Sequence, residues 1–146
     1  MELTEYMINR IESVDANLKS YVTITADHAM KAAAKAESEI IAGHYRGPLH
    51  GIPLALKDLC YTKGIPTMGG LKVRRDFTPS FDATVVEKLR NSGCIFLGKL
   101  NLTEGALSGY NPEFDILVLA AELALNISMS MIIVGVKSSF VGRTIE

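Results

Sequence analysis

The chain has 146 residues, a length at which one domain buries a single core. Hydrophobic residues make up 48% and charged residues 21%, with a formal net charge of -1, which excludes a disordered chain and a basic nucleic-acid binder. So even a balance implies no charged partner.

Cys60 and Cys94 have neither CxxC spacing nor a histidine cluster beside them, so both are expected as reduced, partly buried thiols, with no zinc or other metal site. The opening MELTEYMINRIE carries charges throughout and contains no apolar core of signal-peptide length, so the expected location is cytoplasmic.

In chain order, Met7, Ile8, Ile11, Val14 or Ala16, and Leu18 fall near three and four apart and predict an amphipathic helix ending around Asn17. Tyr21 to Thr25 alternates and is β-branched, hence a strand. Ala26 to Ala42 is alanine-rich, with Asp27 near its start and Gly43 just past its end, and reads as a second helix. His44 to His50 reads as loop. The apolar run in GIPLALKD, Gly51 to Asp58, predicts a short strand buried on both faces. Gly64, Pro66, Gly69 and Gly70 then break regular structure. Asp82 is placed to cap a third helix, with Val85, Val86 and Leu89 on one face and Gly93 as its stop. Cys94 to Leu97 is a further buried strand, and Gly98 to Pro112 a polar loop in which Lys99, Asn101 and Glu104 anchor the start of a helix. Helices alternating with apolar strands argue for an α/β sheet with helical cover.

Ile116 to Val136 contains one charge, Glu122, over a length near that of a membrane-spanning helix. Glu122 is costly in lipid, and Asn126, Ser128 and Ser130 add polarity, so a buried helix followed by a strand at Ile132 to Val136 is expected instead.

Lys57 is the residue with chemical promise, because it ends an apolar strand. Two readings stand side by side. Its methylenes run over apolar neighbours while the ammonium pairs with Asp58 at the surface, or burial leaves a neutral amine able to accept a proton. Asp58 is expected to hold the strand end. His28, His44 and His50 have no ligand spacing and suit surface or packing roles.

The segments GPLHGIPLALKDLCYTKGIPTMGG (Gly47 to Gly70) and DATVVEKLRNSGCIFLGKLNLTEGALSGYNPEF (Asp82 to Phe114) resemble the amidase signature family. That family includes bacterial amidases, the amidase-type component of the glutamyl-tRNA amidotransferase and fatty acid amide hydrolases. The specific core is GxPxxxKD, DAxVVxxLxxxG and GKxNxxE in order. The resemblance implies an α/β, partial amidase-signature fold with a mixed sheet covered by helices, over residues 1–114. It implies that Lys57 is the catalytic lysine of a serine, cis-serine, lysine triad acting on a small-molecule amide without a cofactor. Met68, Gly69 and Gly70 are then candidates for the substrate-cavity wall, a tight turn being the alternative.

Beyond Phe114 the pattern is lost. The family continues through a glycine- and serine-rich loop with the bridging serine, then a glycine-rich turn with the nucleophile. Here Asp115 leads into ILVLAAELALNISMSM, which has no glycine. Later, IIVGVKSSFVGR (Ile132 to Arg143) resembles the segment that follows the nucleophile. Ser128 and Ser130 lack the glycines that let backbone amides approach an oxyanion, Ser138 and Ser139 sit where the family has proline and threonine, Ser108 lies in the loop before the lost region, and none is nominated. Residues 115–146 are therefore read as a divergent apolar tail, and the chain as a truncated, inactive amidase-family form that keeps the lysine. The alternatives are a noncatalytic interaction or oligomerisation module, with self-association, and insertion of the tail into a membrane.

Overall fold

The computed structural model describes residues 1–106. The tail expectations, including a helix or membrane span in Ile116 to Val136, lie outside them.

Helix α1 (Glu2–Leu18) places Thr4, Ile8 and Ile11 inward, one residue per helical turn. It stops at Lys19, which adopts the left-handed conformation (φ 53) and donates its N–H to the Asp15 carbonyl. The Asp15 carboxylate then accepts from the N–H groups of Ser20 (2.7 Å) and Tyr21 (3.2 Å), turning the chain into strand β1 (Tyr21–Ile24). Helix α2 (Ala26–Ile41) buries Ala29, Ala33 and Ala36, a stripe of small side chains that brings its axis close to the sheet.

Strand β2 (Pro53–Lys57) and strand β3 (Ile95–Leu100) run parallel, and β1 pairs antiparallel with the other edge of β3, giving the order β1-β3-β2. This is a mixed sheet, as the resemblance implied. One side carries a core of Ile8, Ile11, Ala29, Ala33, Ile95 and Leu97. The other carries Leu54, Leu56, Cys60, Val86, Cys94 and Phe96. Each fully buried aliphatic side chain in these cores contributes about 1.5–3 kcal/mol.

Three expectations are corrected. Asp82 does not cap helix α3 (Thr84–Asn91), whose N-cap is Ala83. The Asp82 carboxylate instead accepts from the Lys63 N–H (2.7 Å) and from Arg90 (2.7 and 3.0 Å), so it staples a loop to the end of α3. Val85 and Val86 do not share a face: Val86 is buried and Val85 is 45% exposed, because adjacent helical residues point about 100° apart. Finally, β3 does not stop at Leu97 but continues through Gly98 and Lys99 to Leu100. Gly98 is not a strand end. It is where β1 comes so near that a Cβ would collide with the Thr23 carbonyl oxygen.

The β2–β3 register is irregular between Leu54 and Ala55. Leu54 pairs with Phe96 and Ala55 with Gly98, so Leu97 is an extra residue on β3. A bulge of this kind reverses the in–out alternation beyond it. Lys99 therefore lies opposite Leu56 and on the same side of the sheet.

Candidate functional site

Lys57 is the last residue of β2, paired with Leu100 of β3. Its backbone is tied on both sides: the Asp58 N–H donates to the Leu100 carbonyl (3.0 Å) and the Cys60 N–H to the Lys57 carbonyl (2.9 Å). Leu54, Ala55 and Leu56 are at most 1% exposed, as expected of a strand buried on both faces. Lys57 itself is half-buried at the end of the sheet, and its side chain makes no hydrogen bond among the described residues.

Asp58 is 1% exposed and turns into the protein. Its Oδ2 accepts from the N–H groups of Met68 (3.0 Å) and Gly69 (2.9 Å). Gly69 and Gly70 both have positive φ (62° and 72°), which points successive amides at one oxygen. Gly70 also lies so close to the Thr103–Glu104 backbone that a Cβ would sit 2.6 Å from the Thr103 oxygen. The Gly105 N–H closes the contact by donating to the Gly69 carbonyl (3.0 Å). Met68, Gly69 and Gly70 are thus brought to the residue that follows Lys57.

The fully buried lysine among the described residues is Lys99, at 0% exposure. Its ammonium donates to the Cys60 carbonyl (2.5 Å), Thr67 Oγ1 (2.9 Å) and Thr62 Oγ1 (3.2 Å). Asp58 Oδ1 stands 3.9 Å away. Burial pulls the Lys99 pKa below that of a free lysine, against the opposing pull of Asp58 and Cys60. Burial likewise raises Asp58 above the usual carboxylate value, opposed by Lys99 and by the backbone amides. Sequence reasoning places Lys99 in a loop and so misses this cluster. The usable signal is that CIFLGKL, like GIPLALK, is an apolar strand run reaching a lysine.

Asn101 links the end of β3 to the α1–β1 corner, donating to the Lys19 carbonyl (3.2 Å) while its Oδ1 accepts from the Leu102 N–H (2.9 Å). Glu104 opens a single 3-10 turn, Glu104–Ala106. The His50 ring is enclosed: its Nδ1 accepts from the Arg46 N–H (3.2 Å) and its Nε2 lies 3.1 Å from Glu39 Oε2. With Glu39, Arg46, Lys63 and Arg90 it lines a cleft of about 320 Å³ to which Lys57 does not contribute. Cys60 and Cys94 are free and buried, and burial pushes both thiols up, away from thiolate chemistry. Among the described residues no three of His, Cys, Asp and Glu gather as metal ligands, and no helix is long and apolar enough to cross a membrane.

The sequence pattern of the Amidase family matches residues 2–113. The chain belongs to the Amidase family. AmiD of Mycobacterium tuberculosis, a protein named as an amidase, is 50% identical over 112 residues, covering 77% of this chain and 24% of AmiD. A glutamyl-tRNA(Gln) amidotransferase component of Geobacter sulfurreducens is 44% identical over 116 residues, covering 78% of this chain and 24% of that protein. Among solved structures, the native peptide amidase of Stenotrophomonas maltophilia superposes with a TM-score of 0.66 at 39% identity, over 70% of this chain and 21% of that enzyme. The architecture is thus that of amidase-signature proteins, and the chain spans about a quarter of the length of the curated relatives it matches.

Proposed function

We propose that this chain supplies the lysine-bearing part of an amidase site for a small-molecule carboxamide. In this reading Lys57, uncharged, takes a proton through a bridging serine from a second serine, which attacks the amide carbonyl and releases the nitrogen as ammonia or an amine. Met68, Gly69 and Gly70 form part of the substrate wall, and no cofactor takes part. The observation that supports it is the position of Lys57. The residue ends a doubly buried parallel strand, its backbone held on both sides, at the carboxyl end of the sheet where open α/β folds gather their reactive groups.

The 146 residues by themselves are not proposed to cleave amides. The glycine- and serine-rich segments that carry the two serines in the family have no counterpart after Phe114, and without a nucleophile only binding and positioning remain. The purified chain should therefore release ammonia from a peptide amide no faster than buffer. Joined to the remainder of the Stenotrophomonas peptide amidase, in place of that enzyme's matching segment, it should restore turnover. Lys57→Met in the chimaera should then cost at least about a thousandfold in rate. Brisk cleavage by the chain alone, undiminished by Lys57→Met, would overturn this reading.

A second reading, a noncatalytic interaction or oligomerisation module, is favoured by the edge of β2. Among the described residues β3 flanks β2 on one side only, so the other edge offers main-chain groups to a further strand. A clean monomer in size-exclusion chromatography would count against it.

A further inference from the structure

Lys57 is half-buried at the edge of the described fold, whereas the neighbouring Lys99 is wholly enclosed, and the role of that enclosed charge is unexplained by the triad. A buried ion pair is weak grounds for stability, since apolar residues of similar volume often do as well or better. Lys99 is thus better explained by what it holds in place. Its three donors go to Cys60, Thr62 and Thr67, which fixes the loop that leaves β2. Asp58, 3.9 Å from the Lys99 ammonium, holds the other end of that loop through the Met68 and Gly69 amides. Gly70 and Gly105 then join the loop to the segment after β3. The Met68 and Gly69 amides and the Lys99 ammonium meet at Asp58, the residue next to Lys57.

We propose that Asp58 and Lys99 are positioning residues, a buried charge clamp that locks the Cys60–Gly70 loop beneath the end of β2 and thereby sets the exposure and reach of the Lys57 amine. Neither touches the amide. The clamp acts through the backbone of Lys57 and through the wall that the loop forms beside it. The purpose of this placement rests on the amidase reading of Lys57, but the placement itself does not.

The test is competitive acetylation of the full 146-residue chain with limiting acetic anhydride, read lysine by lysine by mass spectrometry, with Lys19, the C-cap of α1, as internal reference. In Lys99→Met and in Asp58→Asn, Lys57 should be acetylated about threefold faster or more relative to Lys19, the lower end of coupling within one polar network. The double variant should show no further increase. Where either variant fails to give a cooperative melt, Thr67→Val, which removes one hydroxyl partner of Lys99 and keeps the volume, should still raise the Lys57 rate. A Lys57 rate unchanged in all folded variants would overturn the clamp. A chimaera in which Lys57→Met leaves turnover intact would overturn the catalytic reading instead, and would leave the acetylation result standing.

Discussion

The Lys99 ammonium and the Asp58 carboxylate lie 3.9 Å apart with 0% and 2% of their side chains exposed, and each is satisfied mainly by other groups: Lys99 by a carbonyl and two hydroxyls, Asp58 by two backbone amides. Removing one partner strands the other in a dry site. Lys99→Ala and Asp58→Ala should each destabilise the fold by about 3–5 kcal/mol. Asp58→Asn combined with Lys99→Met should cost less than the two single changes added together, because the uncompensated charge is gone. Urea melts of these variants and the native chain check both statements.

The pH dependence of this pair has a definite sign. Lys99 has a depressed folded pKa, so in the window between that value and 10.5 the unfolded chain binds more protons, and stability rises with pH. Asp58 has a raised folded pKa, so just above 3.8 the folded chain binds more protons, and stability falls as pH rises through that window. The stability difference between the native chain and Lys99→Met should therefore shift in favour of the native chain as pH climbs toward 10.5. The difference from Asp58→Asn should shift against it on leaving the acid range.

Tyr21, packed against the core, is a third titrating group. Burial, assisted by Asp15, pushes its phenol from 10.0 up to about 12, and its hydroxyl is buried with no hydrogen-bond partner among the described residues. Here the folded state keeps the proton longer, so stability is lost as pH rises from 10 to about 12, by about 2–3 kcal/mol in full. Tyr21→Phe should remove that loss, and at neutral pH should be neutral or gain about 1 kcal/mol by deleting an unpaired polar group. Denaturant melts at a series of alkaline pH values read both effects.

Two adjacent glycines should respond differently to alanine. Gly69 (φ 62) has open space where a Cβ would go, so Gly69→Ala meets only the backbone cost of a left-handed conformation, about 1–2 kcal/mol. Gly70 (φ 72) would add a Cβ 2.6 Å from the Thr103 oxygen, and Gly70→Ala should cost about 3 kcal/mol or more as that contact is forced apart. Equal losses in thermal melts would contradict the close packing of the two loops.

Local pattern was enough for much of the fold. The helical spacing of Ile8 and Ile11 specifies which face of α1 goes inward, since a helical period turns directly into a stripe, and the alanine-rich run specifies helix α2. The unbroken apolar run Leu54 to Leu56 specifies a strand with no solvent face. The GxPxxxKD, DAxVVxxLxxxG and GKxNxxE segments carry the family itself, because they lie within the matched residues.

What the chain alone did not decide was which lysine is enclosed. Lys57 and Lys99 both end apolar strand runs, and nothing local separates them. The choice follows from tertiary placement. The extra residue Leu97 reverses the alternation of β3 and carries Lys99 to the side of Leu56, where the loop from Cys60 to Thr67 closes over it and supplies its partners. Asp82 was diverted in the same way, from the N-cap of α3 to the Lys63 N–H and to Arg90 at the far end of that helix. Hydrophobic spacing acts through neighbours on one element, so it is written in the sequence. A buried charge needs partners from segments far apart in the chain, and only the assembled fold brings them within hydrogen-bond reach.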